Sequence, residues 1–418
     1  MRIERLGPDA RAADVRALVP PPRDVEADVR AILDEVRSGG DEAVLTLTER
    51  FDSAEVGPEE LAVPVAEIDA AVAALEPAVL AALRTAAANV RAVAEAQLRE
   101  PARAVLEAGQ EVEIAEVPVR RAGAYMPGGR APYPSTVVMC ATTARVAGVD
   151  ELAVCAPPGP GGRAHPTILA ACSLCGVTEV YRMGGAQAIA ALAYGTESVR
   201  PADVIVGPGN RWVTEAKRQV AGIVGIDGLA GPSELVVVAT SGADPDLVAL
   251  DLLAQAEHGP DSLVVAISPD RALLEAIESS ARSLADDRPS VAAEALVCMD
   301  AGDARAAVRL ADELAPEHLE LVGEEAESLA GLVRSAGAGF AGQAAGTAFG
   351  DYVAGSNHVL PTGGAARYAS GLSPATFRRR MARISLPEGA AARLAPLGAA
   401  LARAEGFPVH AESMERRA

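Results

Sequence analysis

A strand–helix rhythm in the middle of the chain constrains its fold more than any other feature of the sequence. Short β-branched and apolar runs recur roughly every 25–30 residues, as expected for successive βαβ units. These runs lie at residues 152–155, 177–183, 204–206 and 235–238. Helical patterns separate them at residues 166–175, 186–194 and 212–220. Strands that alternate with helices predict right-handed crossovers and a parallel sheet.

A second run of the same kind follows the first. Asp244-Pro245 predicts the N-cap and first turn of a helix that reaches His258 and is stopped by Gly259-Pro260. Further strands are expected at residues 263–267, 296–299 and 319–322. We therefore predict an α/β protein with two Rossmann-like parallel-sheet domains and small helical segments at the N-terminus and the C-terminus.

The flanking regions have other patterns. Residues from Val25 to about Leu98 have helical periodicity, whereas residues 111–119 alternate as a half-buried strand does. Pro20-Pro21-Pro22 separates a short N-terminal appendage from the rest. From about Leu372 the chain is Arg-rich and is expected to be helical at 377–383 and 390–404.

Charge and cysteine content exclude some classes of partner. The 418 residues contain 37 Lys and Arg against 57 Asp and Glu, a formal net charge of −20. Such a chain lacks the cationic surface that non-specific nucleic-acid binding requires. No apolar run approaches the length of a membrane span, and the start lacks the apolar stretch of a secretory signal. Five cysteines indicate reduced thiols, so we expect a cytoplasmic protein that binds neither nucleic acid nor membrane.

Glycine-rich turns mark candidate nucleotide contacts. The turns at 126–129, 183–187 and 206–210 each lie at a strand end or a helix entrance, where backbone N–H groups can approach phosphate oxygens. Each is also compatible with ordinary turn chemistry, but three together favour a shared nucleotide site. The GxGxxG match at 337–342 follows a helical pattern, and no helical pattern begins after it. A dinucleotide fingerprint lies between a strand and a helix, so we reject this match.

Polar residues suitable for a metal or for proton transfer are few and cluster late in the chain. Gln255 and His258 are spaced to share one face of a helix end, and Glu317-His318 pairs a carboxylate with an imidazole ahead of a strand. Either could be an ordinary solvated pair. Further acids and imidazoles occur at Asp351, His358, Glu405 and His410. A set of one amide, one carboxylate and two imidazoles fits zinc, with manganese or cobalt left open.

The cysteines offer a competing chemistry. Cys172 and Cys175 lie in an apolar helical pattern without a second CxxC, which favours small core residues over a metal or redox motif. Cys140 and Cys155 could in principle form a thiohemiacetal with an aldehyde. They lie in or at the end of apolar runs with no neighbouring base, so we do not favour covalent cysteine catalysis.

Eight motifs carry a resemblance to a known family. They are AYMPGGRAPYPSTVVM, MGGAQAIAALAYGT, GPGNRWVTEAKRQV, GPSELVVVA, DLLAQAEHGPDS, APEHLEL, GDYVAGSNHVLPTGGAARYASGLS and EGFPVHAES. In this order they resemble histidinol dehydrogenases, from about Val25 to Arg416. The resemblance implies an enzyme of histidine biosynthesis that oxidises L-histidinol through L-histidinaldehyde to L-histidine and consumes two NAD⁺.

The resemblance also implies roles for individual residues. Glu317 and His318 form the implied acid–base pair, with His318 as general base and Glu317 activating water. One Zn²⁺ per subunit has the implied ligands Gln255, His258, Asp351 and His410. NAD contacts are implied for Tyr125, Gln187 and Asn210. Substrate contacts are implied for Ser233, Gln255, His258, His318, Asp351, Glu405 and His410.

The family's architecture implies an intertwined homodimer with shared active sites. Residues 1–20 form an N-terminal segment in this scheme, and residues 125–232 a second Rossmann-like domain on the NAD side. That domain is inserted into a first α/β domain, 21–124 and 233–372, which carries the metal and catalytic residues. Residues 373–418 form a C-terminal tail exchanged with the partner, so that Glu405 and His410 complete the partner's site.

Two other functions stay open at the level of sequence. One is a zinc-dependent alcohol or aldehyde dehydrogenase that acts on another amino alcohol. The other is a metal-binding dimer without activity, although the presence of Glu317, His318 and all four implied ligands argues against it.

Overall fold

The computed structural model describes residues 2–19, 23–52, 54–128 and 131–418. Outside the described residues lie Pro20, Pro21 and Pro22, the predicted N-terminal break, and Gly129 of the first glycine-rich turn. The strands are β1 (Arg2–Leu6), β2 (Ala102–Val105), β3 (Glu111–Pro118), β4 (Arg121–Tyr125), β5 (Glu151–Ala156), β6 (Glu179–Arg182), β7 (Val204–Val206), β8 (Gly225–Ile226), β9 (Glu234–Ala239), β10 (Leu263–Ser268), β11 (Ala295–Asp300), β12 (His318–Val322), β13 (Ala338–Ala341) and β14 (Arg378–Ser385).

The α-helices alternate with these strands over most of the chain. They are α1 (Ala12–Arg16), α2 (Glu26–Asp52), α3 (Val65–Ala73), α4 (Pro77–Ala96), α5 (Pro134–Val137), α6 (Thr143–Ala147), α7 (Pro166–Leu174), α8 (Gly185–Tyr194), α9 (Arg211–Val220), α10 (Pro245–Ala256), α11 (Arg271–Asp286), α12 (Ala304–Leu314), α13 (Glu324–Ser328), α14 (Thr347–Tyr352), α15 (Glu388–Ala404) and α16 (Pro408–Glu415). No described helix is long and apolar enough to cross a membrane.

Two parallel sheets confirm the predicted α/β class. The first has five strands in the order β6-β5-β4-β7-β8, and the second has six in the order β1-β11-β10-β9-β12-β13. In both, the chain leaves a central strand in one direction and later returns to its other side. The gaps between β4 and β7 and between β9 and β12 are therefore topological switch points, where such sheets form crevices.

Helices cover both faces of each sheet. Alternate residues of β5 point to opposite sides, so that Leu152 and Val154 pack with α7 while Ala153 and Cys155 pack with α8. In the six-stranded sheet, Leu235 and Val237 pack with α10 and α11, whereas Val236 and Val238 pack with α12. Each sheet thus has its own two-sided apolar core.

The packing of α2, α3 and α4 differs from the predicted grouping. These helices pack on the five-stranded sheet, through residues such as Val29, Leu47, Ile68 and Val90. The predicted domain scheme instead assigns residues 21–124 to the half that contains the second sheet. The apolar stripes of the helices were readable in the sequence, but periodicity does not say which sheet a stripe covers.

The Arg-rich stretch near the C-terminus is a strand, and the prediction of a helix there was wrong. Arg378–Ser385 forms β14, which pairs antiparallel with β3 in a three-stranded sheet of order β14-β3-β2. Arg383 pairs with Glu113 across the strands, at 2.8 Å, and Arg380 with Glu116, at 3.6 Å. Cross-strand partners far away in sequence supply the pairing that a local pattern does not display.

The N-terminal segment contributes to a sheet. Arg2–Leu6 forms β1, an edge strand parallel to β11, and α1 follows with Val15 fully buried. The sequence pattern predicts only a helical appendage there. Its first residues instead extend the six-stranded sheet.

Candidate functional site

Glu317 and His318 lie at the amino end of β12, directly after a tight turn. Helix α12 ends at Leu314, and Ala315 has φ 46°, the only positive φ of a non-glycine residue in the described part of the chain. Pro316 follows, and the strand starts at His318. The left-handed turn at Ala315 reverses the chain direction, so that Glu317 and His318 lie at the start of β12.

The Glu317 carboxylate is buried and held by two hydrogen-bond donors. Its Oε2 accepts hydrogen bonds from the Ser233 hydroxyl and from the Glu234 backbone N–H, the latter at 3.0 Å. Ser233 directly precedes β9, the strand next to β12. Neighbouring strand starts therefore bring these groups together, although 84 residues separate Ser233 from Glu317.

His318 is buried between two acidic side chains and a carbonyl. Its Nδ1 lies 3.2 Å from the Glu234 backbone oxygen, and its Nε2 lies 3.6 Å from Asp351 Oδ1. When Nδ1 carries the proton, it donates to that carbonyl, and Nε2 keeps its lone pair. This tautomer is the one that a general base needs.

Burial and neighbouring charges shift the pKa values of all three groups. Burial raises the pKa of Glu317, against the opposing effects of His318 and of its hydrogen-bond donors. Burial alone would lower the pKa of His318, but the carboxylates of Asp351 and Glu317 outweigh it, and the pKa is raised. Burial opposes ionisation of Asp351, yet its contact with His318 lowers its pKa below the ordinary value.

Gln255 and His258 extend this cluster from the end of α10. The Gln255 side-chain Nε2 donates to the Ser233 hydroxyl at 2.6 Å, which turns the amide oxygen away from Ser233. His258 follows the helix, with Nδ1 3.3 Å from the Gln255 backbone oxygen. A positive charge on its ring would lie close enough to favour the ionised forms of Glu317 and Asp351. The predicted Asp244 N-cap of this helix is confirmed, since it accepts from the N–H groups of residues 246 and 247.

Asp351 comes from α14 and is fixed by a second imidazole. His358 Nδ1 lies 2.8 Å from the Asp351 backbone oxygen, and His358 Nε2 lies 3.1 Å from the Thr136 hydroxyl. Burial lowers the pKa of His358, which favours its neutral form. The sequence motifs assign no role to His358, and its contacts indicate that it connects α14 to α5.

Glu405 and His410 are not part of the cluster within one chain. Both are exposed, and His410 contacts the Phe407 ring, with ring centroids 5.3 Å apart. They lie at the end of α15 and in α16, two helices that pack mainly on each other. Across residues 2–19, 23–52, 54–128 and 131–418, no three His, Cys, Asp or Glu side chains are arranged to hold a metal ion.

A separate cleft of about 850 Å³ lies at the carboxyl ends of the five-stranded sheet. Tyr125 ends β4, Gln187 lies in the first turn of α8, and the Asn210 side chain caps α9; all three line the cleft. The cleft thus occupies the switch point between β4 and β7, where α/β sheets bind ligands. Its volume is in the range of cofactor pockets.

Two contacts connect the cleft with the polar cluster. Pro127, Gly128, Ala131 and Pro132 line the cleft shortly before α5, whose Thr136 meets His358. On the other side, Arg211 at the start of α9 lies 3.4 Å from Asp261, just ahead of β10. The carboxyl edge of one sheet therefore approaches the amino edge of the other.

The alternatives set aside at the level of sequence find no support in the fold. The GxGxxG residues form β13 and its flanks instead of a turn between strand and helix, so that rejection is confirmed. All five cysteines are buried free thiols. Burial raises the pKa values of Cys140 and Cys155, which suppresses the thiolate that covalent catalysis needs.

Comparison with known proteins assigns the family. The sequence model of histidinol dehydrogenases matches residues 21–418, nearly the whole chain. The chain belongs to the histidinol dehydrogenase family. It is 44% identical over 414 residues to the histidinol dehydrogenase of Gluconobacter oxydans, covering 98% of this chain and 94% of that protein. It is 46% identical over 405 residues to that of Cereibacter sphaeroides, covering 94% and 92%.

A solved structure supports the same assignment. The crystal structure of histidinol dehydrogenase from Elizabethkingia anophelis superposes with a TM-score of 0.92 at 30% identity, covering 99% of this chain and 98% of that one. Histidinol dehydrogenases are NAD-dependent oxidoreductases of histidine biosynthesis, so the recognition made from the eight motifs is confirmed.

The sequence motifs of this member of the histidinol dehydrogenase family did not point to two residues at the site and the cleft. Glu234 touches both Glu317 and His318, and Asp52 lines the cleft next to Gln187, at 3.5 Å. Neither lies in a spacing that suggests chemistry. Glu234 could have been found from its position directly after Ser233, at the start of a predicted strand.

Proposed function

We propose that this chain oxidises L-histidinol to L-histidinaldehyde and then to L-histidine, with two NAD⁺ consumed per substrate. The observation that carries the proposal is the buried Glu317–His318 pair beside Ser233, Gln255 and Asp351. A base, an acid and substrate-binding groups next to a cofactor-sized cleft are what such an oxidation needs.

The first step needs a base for the alcohol proton. His318 Nε2 accepts the hydroxyl proton of histidinol while the carbinol carbon loses a hydride to the nicotinamide of NAD⁺. The alcohol becomes an aldehyde, the cofactor becomes NADH, and the proton passes from His318 to solvent. The Glu234 carbonyl keeps His318 in the tautomer that accepts at Nε2.

The second step needs water. Glu317 takes a proton from a water molecule as the water oxygen adds to the aldehyde carbon, and the former carbonyl oxygen takes up a proton from solvent, which produces a gem-diol. Glu317 then releases its proton to solvent. His318 then takes a hydroxyl proton while a second hydride leaves for a second NAD⁺, and the product is the carboxylic acid. The hydrogen bonds from Ser233 and from the Glu234 backbone hold the Glu317 carboxylate in place for this step.

We propose Gln255, His258, Asp351 and His410 of the partner subunit as ligands of one Zn²⁺. An amide oxygen, a carboxylate and imidazoles form a donor set that suits zinc. The Gln255 nitrogen faces Ser233, which supports use of its oxygen as a ligand. When bound, zinc would hold the imidazole and amine of histidinol, and such orientation can be worth several kcal/mol of barrier.

The proposed subunit arrangement is a homodimer with shared sites. Histidinol would contact Ser233, Gln255, His258, His318 and Asp351 of one subunit, together with Glu405 and His410 of the other. Exposed apolar side chains on the C-terminal helices support a partner there, since Leu397, Leu401, Phe407 and Val409 are 53–72% accessible.

For NAD⁺ we propose the cleft bounded by Tyr125, Gln187 and Asn210. The N-termini of α8 and α9 open onto it, and helix N-termini favour phosphate groups. Five unpaired buried thiols support a reducing compartment, so we propose that the reaction takes place in the cytoplasm.

Reaction stoichiometry tests the proposal. NADH formed per histidinol consumed should be two, should fall on treatment with a chelator and should return with added Zn²⁺. A ratio of one would mean that only the alcohol is oxidised. No NADH from histidinol, with turnover of another amino alcohol, would assign the site to a different substrate.

A further inference from the structure

Glu234 connects the two members of the catalytic pair. Its backbone N–H donates to the Glu317 carboxylate at 3.0 Å, and its backbone oxygen faces His318 Nδ1 at 3.2 Å. In return, its side-chain Oε2 accepts the Glu317 backbone N–H at 3.3 Å. The first residue of β9 and the residue just ahead of β12 are therefore tied to each other by two reciprocal bonds.

The Glu234 carboxylate is itself almost fully buried, with 3% of its side chain exposed. A buried carboxylate requires a cation and further donors. Arg16 supplies the cation through two hydrogen bonds, one to Oε1 and one to Oε2 at 3.1 Å. The Gly363 backbone N–H adds a third donor, at 3.1 Å to Oε1.

Arg16 also holds the turn that leads into the catalytic pair. Its guanidinium donates to the Leu314 backbone oxygen at 2.5 Å, and Leu314 is the last residue of α12 before the left-handed Ala315. The preceding residue, Val15, is fully buried and anchors α1 in the core. One guanidinium thus contacts both chain segments from which the site is built, the start of β9 and the turn before β12.

We infer that Arg16 is a positioning residue, which acts through Glu234 to hold Glu317 and His318 in their reactive geometry. This inference rests on the proposed function of that pair. Arg16 lies outside residues 21–418, the part that matches the family's sequence model. The N-terminal segment is then more than an edge strand, because it supplies the counter-charge on which the catalytic turn depends.

The same segment provides a matched control. Arg5 in β1 donates to Glu278 of α11 at 2.8 Å, so it too joins the N-terminal segment to a mostly buried glutamate. The contacts of Arg5 do not include Glu234, Glu317 or His318 among the described residues. Arg5→Met removes one ion pair of the segment and leaves the bonds around Glu234 in place.

The experiment compares Arg16→Met, Arg16→Lys and Arg5→Met in the full chain, with kcat, KM for histidinol and KM for NAD⁺ as readouts. For Arg16→Met we expect kcat to fall about 10- to 100-fold, as when groups that orient active-site residues are lost. KM for NAD⁺ should change less than about twofold, since other elements build the cleft. Arg16→Lys keeps the charge and should recover part of kcat, and Arg5→Met should leave it within about twofold.

A double-mutant cycle with Glu234→Gln tests the route of the effect. The glutamine side chain keeps an acceptor for the Glu317 N–H but no longer needs a cation. If Arg16 acts through Glu234, Arg16→Met should cost less than about twofold in kcat in that background. Equal losses in both backgrounds, or equal losses for Arg16→Met and Arg5→Met, would overturn the inference.

Three further results would separate a failure of the inference from a failure of folding or of the proposed function. If Arg16→Met does not fold, the decision passes to Arg16→Lys against Arg5→Lys, and equal kcat values would overturn the inference. A wild-type protein that forms no NADH from histidinol would refute the proposed function, whereas a fully active Arg16→Met refutes only the role of Arg16.

Discussion

At the scale of single residues, the proposed mechanism gives Glu317 a task that differs from that of His318. We expect Glu317→Gln to slow aldehyde oxidation by about 100-fold and alcohol oxidation by much less, because only the second step needs a base for water. The amide oxygen can still accept from Ser233 and from the Glu234 N–H, so the fold should persist. Separate assays of histidinol and histidinaldehyde oxidation measure the two steps.

The matched comparison is His318→Gln, which should slow both steps. Equal losses of the two half-reactions in Glu317→Gln would contradict the assignment of water activation to Glu317.

Asp52 offers a second prediction at this scale, on the choice of cofactor. It ends α2 on the wall of the cleft, and burial raises its pKa to about 6, so it is ionised at pH 8. A carboxylate there can accept ribose hydroxyls and repels a phosphate. We expect Asp52→Asn to shift the ratio of kcat/KM for NAD⁺ over NADP⁺ toward NADP⁺ by about 10-fold.

The control for Asp52 is Glu49→Gln, which removes an exposed acid of the same helix that does not line the cleft. An unchanged ratio of kcat/KM for NAD⁺ over NADP⁺ in Asp52→Asn, or an equal shift in Glu49→Gln, would show that Asp52 does not discriminate between the two cofactors.

At the scale of elements, two buried acids join β12 to α10. Glu320 on β12 faces Asp251 on α10, and burial together with Asp251 raises the pKa of Glu320 to about 8. The folded protein then holds a proton on Glu320 that the unfolded chain releases near its ordinary pKa of about 4.5. The free energy of unfolding should therefore fall as pH rises from about 4.5 to about 8, by at most about 1.4 kcal/mol per pH unit.

Glu320→Gln should remove this dependence. We expect its Tm to exceed that of the wild type more at pH 9 than at pH 5, because the amide carries no charge to bury. Glu294→Gln, at an exposed acid ahead of β11, serves as control. Parallel Tm curves of the wild type and Glu320→Gln over this range would contradict the prediction.

Elements differ in how far the sequence predicts them. The strands at 152–155, 204–206 and 319–322 were predictable because a strand buried on both faces needs a continuous apolar run. β14 was not, since its arginines look like a solvated helix until their partners on β3 are known. A local sequence pattern indicates which residues are buried, whereas the pairing of strands depends on residues far away along the chain.

At the scale of the whole molecule, the proposed sharing of active sites between subunits makes a distinctive prediction. If His410 serves the partner's site, a mixture of inactive His318→Ala and His410→Ala subunits forms heterodimers with one intact site each. Random mixing after dissociation should then restore about one quarter of wild-type activity per subunit. Neither variant alone should be active.

The controls for this mixing are each variant dissociated and reassociated by itself. No recovery in mixtures whose heterodimers are demonstrated by size or tag would show that each site is completed within one chain.

The sequence by itself determined the α/β class, the family and the identity of the candidate residues, because apolar periodicity and short polar motifs are local properties. Only the tertiary structure decided that Glu317 and His318 lie at the amino edge of one sheet while the cleft lies at the carboxyl edge of the other. It also decided that α2, α3 and α4 cover the five-stranded sheet and that Arg16 reaches Glu234, 218 residues away. Such contacts depend on how sheets and helices pack, and packing energy is spread over many distant residues that no single motif contains.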